Sequence, residues 1–159
     1  MLVRISAKTD YAIRAAAELA AAGLVPGAGP WVKTESVSTS QDIPLPFLLN
    51  ILAELRTAGL VRSRRGVDGG YQLARPPAEI TVADIIRAVD GPLANIAGSR
   101  PEDLDYTGAA AALRDTWVAL RATMRAVLER VTLADLSAGK LPDDIGALLT
   151  GDDVWQARR

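Results

Sequence analysis

The chain contains neither cysteine nor histidine. That double absence excludes disulfides, thiolate nucleophiles and structural zinc, and it removes the side chain most often used to move protons near neutral pH. Aromatic residues are scarce, at 4% with a single phenylalanine, while alanine is abundant. Such a composition favours helices over a sheet-rich core. No apolar run approaches the roughly 20 residues that span a bilayer; the alanine-rich opening is interrupted by Arg14 and Glu18. No charged-then-apolar leader is visible, so a cytoplasmic protein without membrane contact is expected. No serine is paired with a base, no glycine loop opens a helix to cradle a phosphate, and no carboxylate pair suggests acid–base work. The chain therefore reads as a non-enzyme with no cofactor and no metal site.

What is present is a hidden charge asymmetry. The 159 residues carry a net charge of −1, a length that suits one domain, alone or with an appended arm. Residues 1–76 hold nine Lys/Arg against six Asp/Glu, and residues 77–159 hold nine against thirteen. The basic excess gathers at Arg56, Arg62, Arg64, Arg65 and Arg75, opposed locally only by Asp68. A basic face on an acidic remainder suits a polyanionic partner for that face, although on charge alone a solvated charged surface is the favoured reading.

The order of elements separates those readings. Ser6 suits the cap of a first helix with Ile13, Ala16, Ala17 and Ala20 as its apolar stripe and Gly23 as its stop. A Gly/Pro-rich loop, "GLVPGAGPW" over 23–31, leads to a short helix over 34–40. A stronger helix begins near Pro44, with Leu45, Leu48, Leu52 and Leu55 inward and Pro46, Asn50, Ala53 and Thr57 outward. Helix, short helix, turn and helix is the order of a helix-turn-helix. "LVRSRRGVDGGYQLARP" follows at once, over 60–76. Its two flanks read as strands over 60–65 and 71–75, joined by a glycine turn. A helix-turn-helix followed by an arginine-bearing ribbon is a winged helix, and arginines there neutralise phosphates or enter a narrow minor groove.

Thr81 with Asp84, and Thr132 with Asp135, have the spacing of capping boxes. Between them Leu113, Trp117, Leu120, Met124, Val127 and Val131 repeat at intervals of four and three, the pattern of a heptad seam. Trp117 and Met124 suit an internal core as well; the length of the seam and its place after a DNA-binding module favour a subunit interface.

The stretch "ILAELRTAGLVRSRRGVDGGYQLARPPAEITVADIIRAVDGPL", with "ISAKTDYAIRAAAELA" before it and "ALRDTWVALRATMRAVLERVTLADL" after it, resembles the Rrf2 family of bacterial winged-helix transcription regulators over residues 3–136. The resemblance implies a mainly α fold with a small β-wing, a winged helix-turn-helix plus a long dimerisation helix. It divides the chain into a DNA-binding domain over 1–78, a linker helix and sensor loop over 79–111, a dimerisation helix over 112–136 and an arm over 137–159, expected to be partly disordered. It implies a homodimeric regulator, read as a repressor, on a near-palindromic double-stranded operator. It assigns DNA contact to Ser40, Gln41, Pro46, Phe47, Asn50, Arg56, Arg62, Arg64, Arg65, Gly69, Gly70 and Tyr71. Asn50 suits an adenine edge; Phe47 suits a thymine methyl and the core equally.

The departure from the family pattern lies in the loop "NIAGSRPEDLDYTGAAAALRDTW". Cluster-binding members carry three cysteines there, and Ser99, Asp105 and Ala111 stand near those places. Iron–sulfur clusters are held mainly by Cys, with His as the occasional substitute. The expectation is a regulator without a cluster. The alternative is control by a protein partner or a small-molecule ligand at that loop.

Overall fold

The computed structural model describes residues 5–23 and 27–157. Leu24, Val25 and Pro26 of the glycine–proline loop, and Arg158 and Arg159 of the tail, lie outside the described residues.

Helix α1, Ala7–Ala22, is capped by Ser6, whose Oγ accepts the Thr9 amide at 3.0 Å. It buries Thr9, Ala12, Ala15, Ala16, Leu19 and Ala20. Only Ala16 and Ala20 of the expected stripe lie on that face; Ile13 and Ala17 are half-buried beside it. An alanine-rich helix has little contrast between its faces, so its rotation is set by what packs on it. Small side chains let α2 (Thr34–Gln41), α3 (Leu45–Thr57), α4 (Val82–Asp90) and α6 (Leu133–Ala138) all contact α1.

Helices α2 and α3 are joined at Asp42, which adopts a left-handed conformation and donates its amide to the Ser38 carbonyl. Asp tolerates this region better than most residues. The Ser38 hydroxyl donates to the Ile43 carbonyl at 2.7 Å, and Ile43 is buried, so the turn is fixed from both sides. Helix α3 buries Leu48, Ile51, Leu52 and Leu55. Leu45 corrects the expected stripe: it is exposed, while Ile43 before it and Leu48 after it are buried.

Strands β1 (Val61–Arg64) and β2 (Gly70–Leu73) pair antiparallel, with Val61 opposite Leu73 and Arg64 opposite Gly70. Both are shorter than expected from sequence. Val32 adds an isolated antiparallel bridge to β2: its amide donates to the Tyr71 carbonyl at 2.9 Å, and the Tyr71 amide donates back at 2.8 Å.

Both expected capping boxes are formed. Thr81 caps α4 and Thr132 caps α6, each exchanging hydrogen bonds with the aspartate three residues on. The two starts also pair with each other. The Val82 amide donates to the Val131 carbonyl, and the Leu133 amide to the Ile80 carbonyl, each at 2.9 Å. First-turn amides that a helix cannot satisfy internally are thus satisfied by its neighbour.

Helix α5 spans Leu113–Leu128 and buries none of its residues completely. This corrects the single helix expected over 112–136. Thr132 must leave helical geometry to cap α6, so the chain turns between the two helices. Val131 is corrected with it: it is 6% exposed and belongs to a second core cluster with Val82, Ala83, Ile86, Leu93 and Ile145. Ile145 lies on α7, Asp143–Gly146, so part of the expected arm is packed on the body. No helix among the described residues is long and apolar enough to cross a membrane.

Candidate nucleic-acid interface

The first two turns of α3 present Pro46, Phe47 and Asn50 to solvent. Pro44 precedes the helix and Pro46 stands in its first turn, where the missing amide costs nothing. Phe47 is 60% exposed, which excludes the core reading of that residue. Ser40 at the end of α2 is exposed. Gln41 is not brought to this surface. Its amide donates to Glu18, and its side-chain oxygen accepts from Arg14 at 3.2 Å, so it fastens α2 to α1.

The wing arginines divide by their partners. Arg62 donates to Gln72 at 2.7 Å, and its guanidinium lies 5.3 Å from the centre of the Trp31 ring. Gln72, 7% exposed, donates in turn to the Gly29 carbonyl. Arg62 therefore holds the 27–31 segment against the hairpin. Arg64 lies 4.9 Å from the same ring and donates to the Asp68 carbonyl at 2.5 Å. Arg65 is exposed and makes no hydrogen bond or ion pair among the described residues. Arg56, on the last turn of α3, donates to the Ser63 hydroxyl of β1 at 3.1 Å and ties helix to wing.

The wing glycines are required by space as much as by dihedral angle. A Cβ on Gly69 would stand 2.1 Å from the Arg64 carbonyl oxygen, although φ there is not positive. On Gly70, at φ +152°, it would stand 2.3 Å from the Val32 carbonyl oxygen. Neither contact is compatible with a side chain, so the hairpin can close and meet Val32 only with glycine at both places. Tyr71 is half-buried, its backbone spent on Val32 and its ring packed on the core.

These parts enclose a cleft of about 300 Å³ between the start of α2 and the wing, lined in part by Lys33, Arg56, Arg64, Arg65, Gly69, Gly70 and Tyr71. Lys33 and Trp31 are the residues that sequence reasoning missed. Lys33 donates to the Val67 carbonyl at the wing tip, a contact made over 34 positions that no local spacing announces.

A profile of the Rrf2 family, described as "Iron-dependent Transcriptional regulator", matches residues 5–139. The chain belongs to the Rrf2 family. It is 50% identical over 146 residues to a protein of Mycobacterium tuberculosis named "Putative HTH-type transcriptional regulator Rv1287", covering 92% of this chain and 88% of that one. Among solved structures it is similar to CymR of Bacillus subtilis, the global cysteine regulator of that organism. The TM-score there is 0.72 at 33% identity, covering 87% of this chain and 99% of CymR. It is also similar to IscR of T. potens, with TM-score 0.66 at 31% identity and 97% of each chain covered. This Rrf2 protein is a DNA-binding transcription regulator with a winged helix-turn-helix fold.

The family description names iron, and the residues of this chain do not fit a thiolate-held centre. There is no cysteine or histidine to ligate one. No group of three Asp or Glu among the described residues is arranged to hold a metal ion, Asp103 and Asp105 included.

Proposed function

We propose that this Rrf2 protein is a homodimeric repressor without an iron–sulfur cluster. In this reading α3 docks in the major groove of a near-palindromic operator and the wing lies against the flanking backbone. One observation carries it: the start of α3 and Arg65 of the wing are both exposed, Arg65 has no partner among the described residues, and Arg56 at the far end of α3 ties helix to wing through Ser63. Asn50 then reads a base edge, Phe47 offers an apolar face to a thymine methyl, and Arg65 meets phosphate. Dimerisation through α5 is supported by a helix with an apolar seam and no completely buried residue. Repression follows from occupying a promoter from two half-sites, and the work is done in the cytoplasm, where the chromosome is.

Selection of bound sequences from a random duplex pool tests the reading. The expected product is an inverted repeat whose half-site centres are about one helical turn, or a multiple of it, apart. A lone, unrepeated half-site, or no enriched motif, contradicts it. Run-off transcription from a promoter carrying the repeat then decides the sign, with reduced transcript expected.

A further inference from the structure

Away from the DNA-binding face, a cavity of about 480 Å³ lies between the C-terminal end of α4, the loop that follows it, and α5. It shares no lining residue with the wing cleft. Guanidinium groups line it from three separate segments: Arg87 from α4, Arg100 from the loop, and Arg121 and Arg125 from α5. Two of them are answered. Arg87 pairs with Glu129 and stands 3.8 Å from Asp84. Arg121, with its side chain only 13% exposed, pairs with Glu102 at 2.5 Å. Arg100 and Arg125 make no hydrogen bond or ion pair among the described residues, although Glu102, which also lines the cavity, feels the charge of Arg100 as well as that of Arg121.

Like charges gathered round one cavity repel, and they raise its affinity for anions in proportion. The rest of the wall is suited to the body of a small molecule. Leu93 is buried and supplies apolar surface, and the half-buried Asn95 makes no side-chain hydrogen bond. The volume lies within the range of small-molecule sites. Arginine forks bind carboxylate and phosphate in a bidentate manner, which favours a ligand with two such groups over a monovalent ion.

We propose that this cavity is an effector site for a small organic anion bearing two acidic groups, dicarboxylate or phosphorylated acid. Arg100 and Arg125 supply the attraction and Asn95 the orienting amide. The regulatory half of the proposal rests on the DNA-binding reading given above. Helix α4 forms one wall and packs directly on α1 and α3, while α5 forms another. A ligand bridging α4 and α5 therefore acts on the relation between the seam helix and the recognition helix, and it shifts operator affinity only through its unequal fit to two arrangements.

The test uses the full chain. Thermal unfolding is followed with citrate, succinate, phosphoenolpyruvate and inorganic phosphate, each against sodium chloride of equal ionic strength. At least one of the organic anions is expected to raise Tm by several degrees at about 100 times its Kd. The shift should vanish in Arg100→Gln/Arg125→Gln and persist in Arg64→Ala/Arg65→Ala. Isothermal titration of the single variants Arg100→Gln and Arg125→Gln, checked for native circular dichroism, should show at least tenfold weaker binding. Stabilisation that survives in the double variant, or is lost in the wing variant, overturns the site, as does no stabilisation beyond the chloride control. Succinate active with phosphoenolpyruvate inert identifies carboxylate as the preferred group, and the reverse identifies phosphate; either supports the site. Binding that leaves operator affinity unchanged overturns the effector role while leaving the DNA-binding reading intact.

Discussion

Arg62 and Arg65 stand three positions apart on one hairpin and differ in what their charge is spent on. Arg62 is committed to Gln72 and Trp31. Arg65 faces solvent with no partner among the described residues. Arg65→Ala is expected to flatten the log–log salt dependence of operator binding by about 0.9 while leaving the urea midpoint unchanged. Arg62→Ala is expected to do the reverse, costing about 1–2 kcal/mol in urea unfolding through the lost hydrogen bond and ring contact. Equal salt slopes in the two variants would contradict the division. The arginine cluster itself was legible in the sequence. The division within it was not, because Trp31 and Gln72 meet Arg62 only after the hairpin has closed on the preceding loop. The bonds that fasten Gln41 to α1 are illegible for the same reason, since its partners Arg14 and Glu18 lie a helix away.

A second residue carries a pH prediction. Partial burial pushes the Asp90 carboxyl up, but hydrogen bonds from Thr9 and Ser6 and the charge of Lys8 outweigh it and hold the group below its ordinary value. A carboxyl with a lowered pKa stabilises the fold fully above the unfolded value of about 3.9, and that contribution is lost as pH falls through the folded value. Asp90→Asn is therefore expected to be less stable than the parent at pH 7, with the gap shrinking only below about pH 3.9. Urea unfolding of both proteins across that range checks it; a gap that closes between pH 7 and 5 contradicts the assignment.

At the scale of elements, the sequence was most informative where side chains act on their own backbone. Ser6, Thr81 and Thr132 cap the helices that their spacing announced. It was least informative where two local signals competed. The heptad spacing continues through Val131, while the capping box restarts a helix at Thr132, and the cap prevails because a capping residue cannot itself be helical. What remains of the seam on α5 is Leu113, Trp117, Leu120, Met124 and Val127, all half-buried. Trp117 also donates to the Tyr106 hydroxyl at 3.3 Å, so it joins the seam to the loop of its own chain. If the seam is the subunit interface, each large apolar side chain buried there contributes about 1.5–3 kcal/mol. Trp117→Ala combined with Leu120→Ala is expected to yield monomers in sedimentation and to weaken operator binding. An intact dimer in that double variant sinks the assignment of α5.

The whole molecule divides into a basic half over 1–76 and an acidic remainder, and the loop proposed for sensing lies in the remainder. Cluster-bearing members of the family sense through thiolates in the loop before α5. This chain keeps a loop there, closed on itself by reciprocal backbone bonds between Ile96 and Ser99 at 2.9 Å, but its sequence holds no thiol or imidazole. No side chain can then form a disulfide, ligate a cluster through a thiolate or react as one. Operator affinity is therefore expected to be the same in air and under anaerobic conditions, and unchanged by nitric oxide or thiol reductants. Met124 on α5 leaves one oxidative route, since a sulfoxide turns an apolar seam residue polar. Peroxide at high dose should accordingly weaken the dimer slowly and without reversal by thiols, rather than switch it. Operator shifts run in parallel with absorption spectra of the purified protein decide the matter. A visible charge-transfer band, or an affinity that changes reproducibly on reduction, would show that this chain recruits a redox centre its own residues give no means to hold.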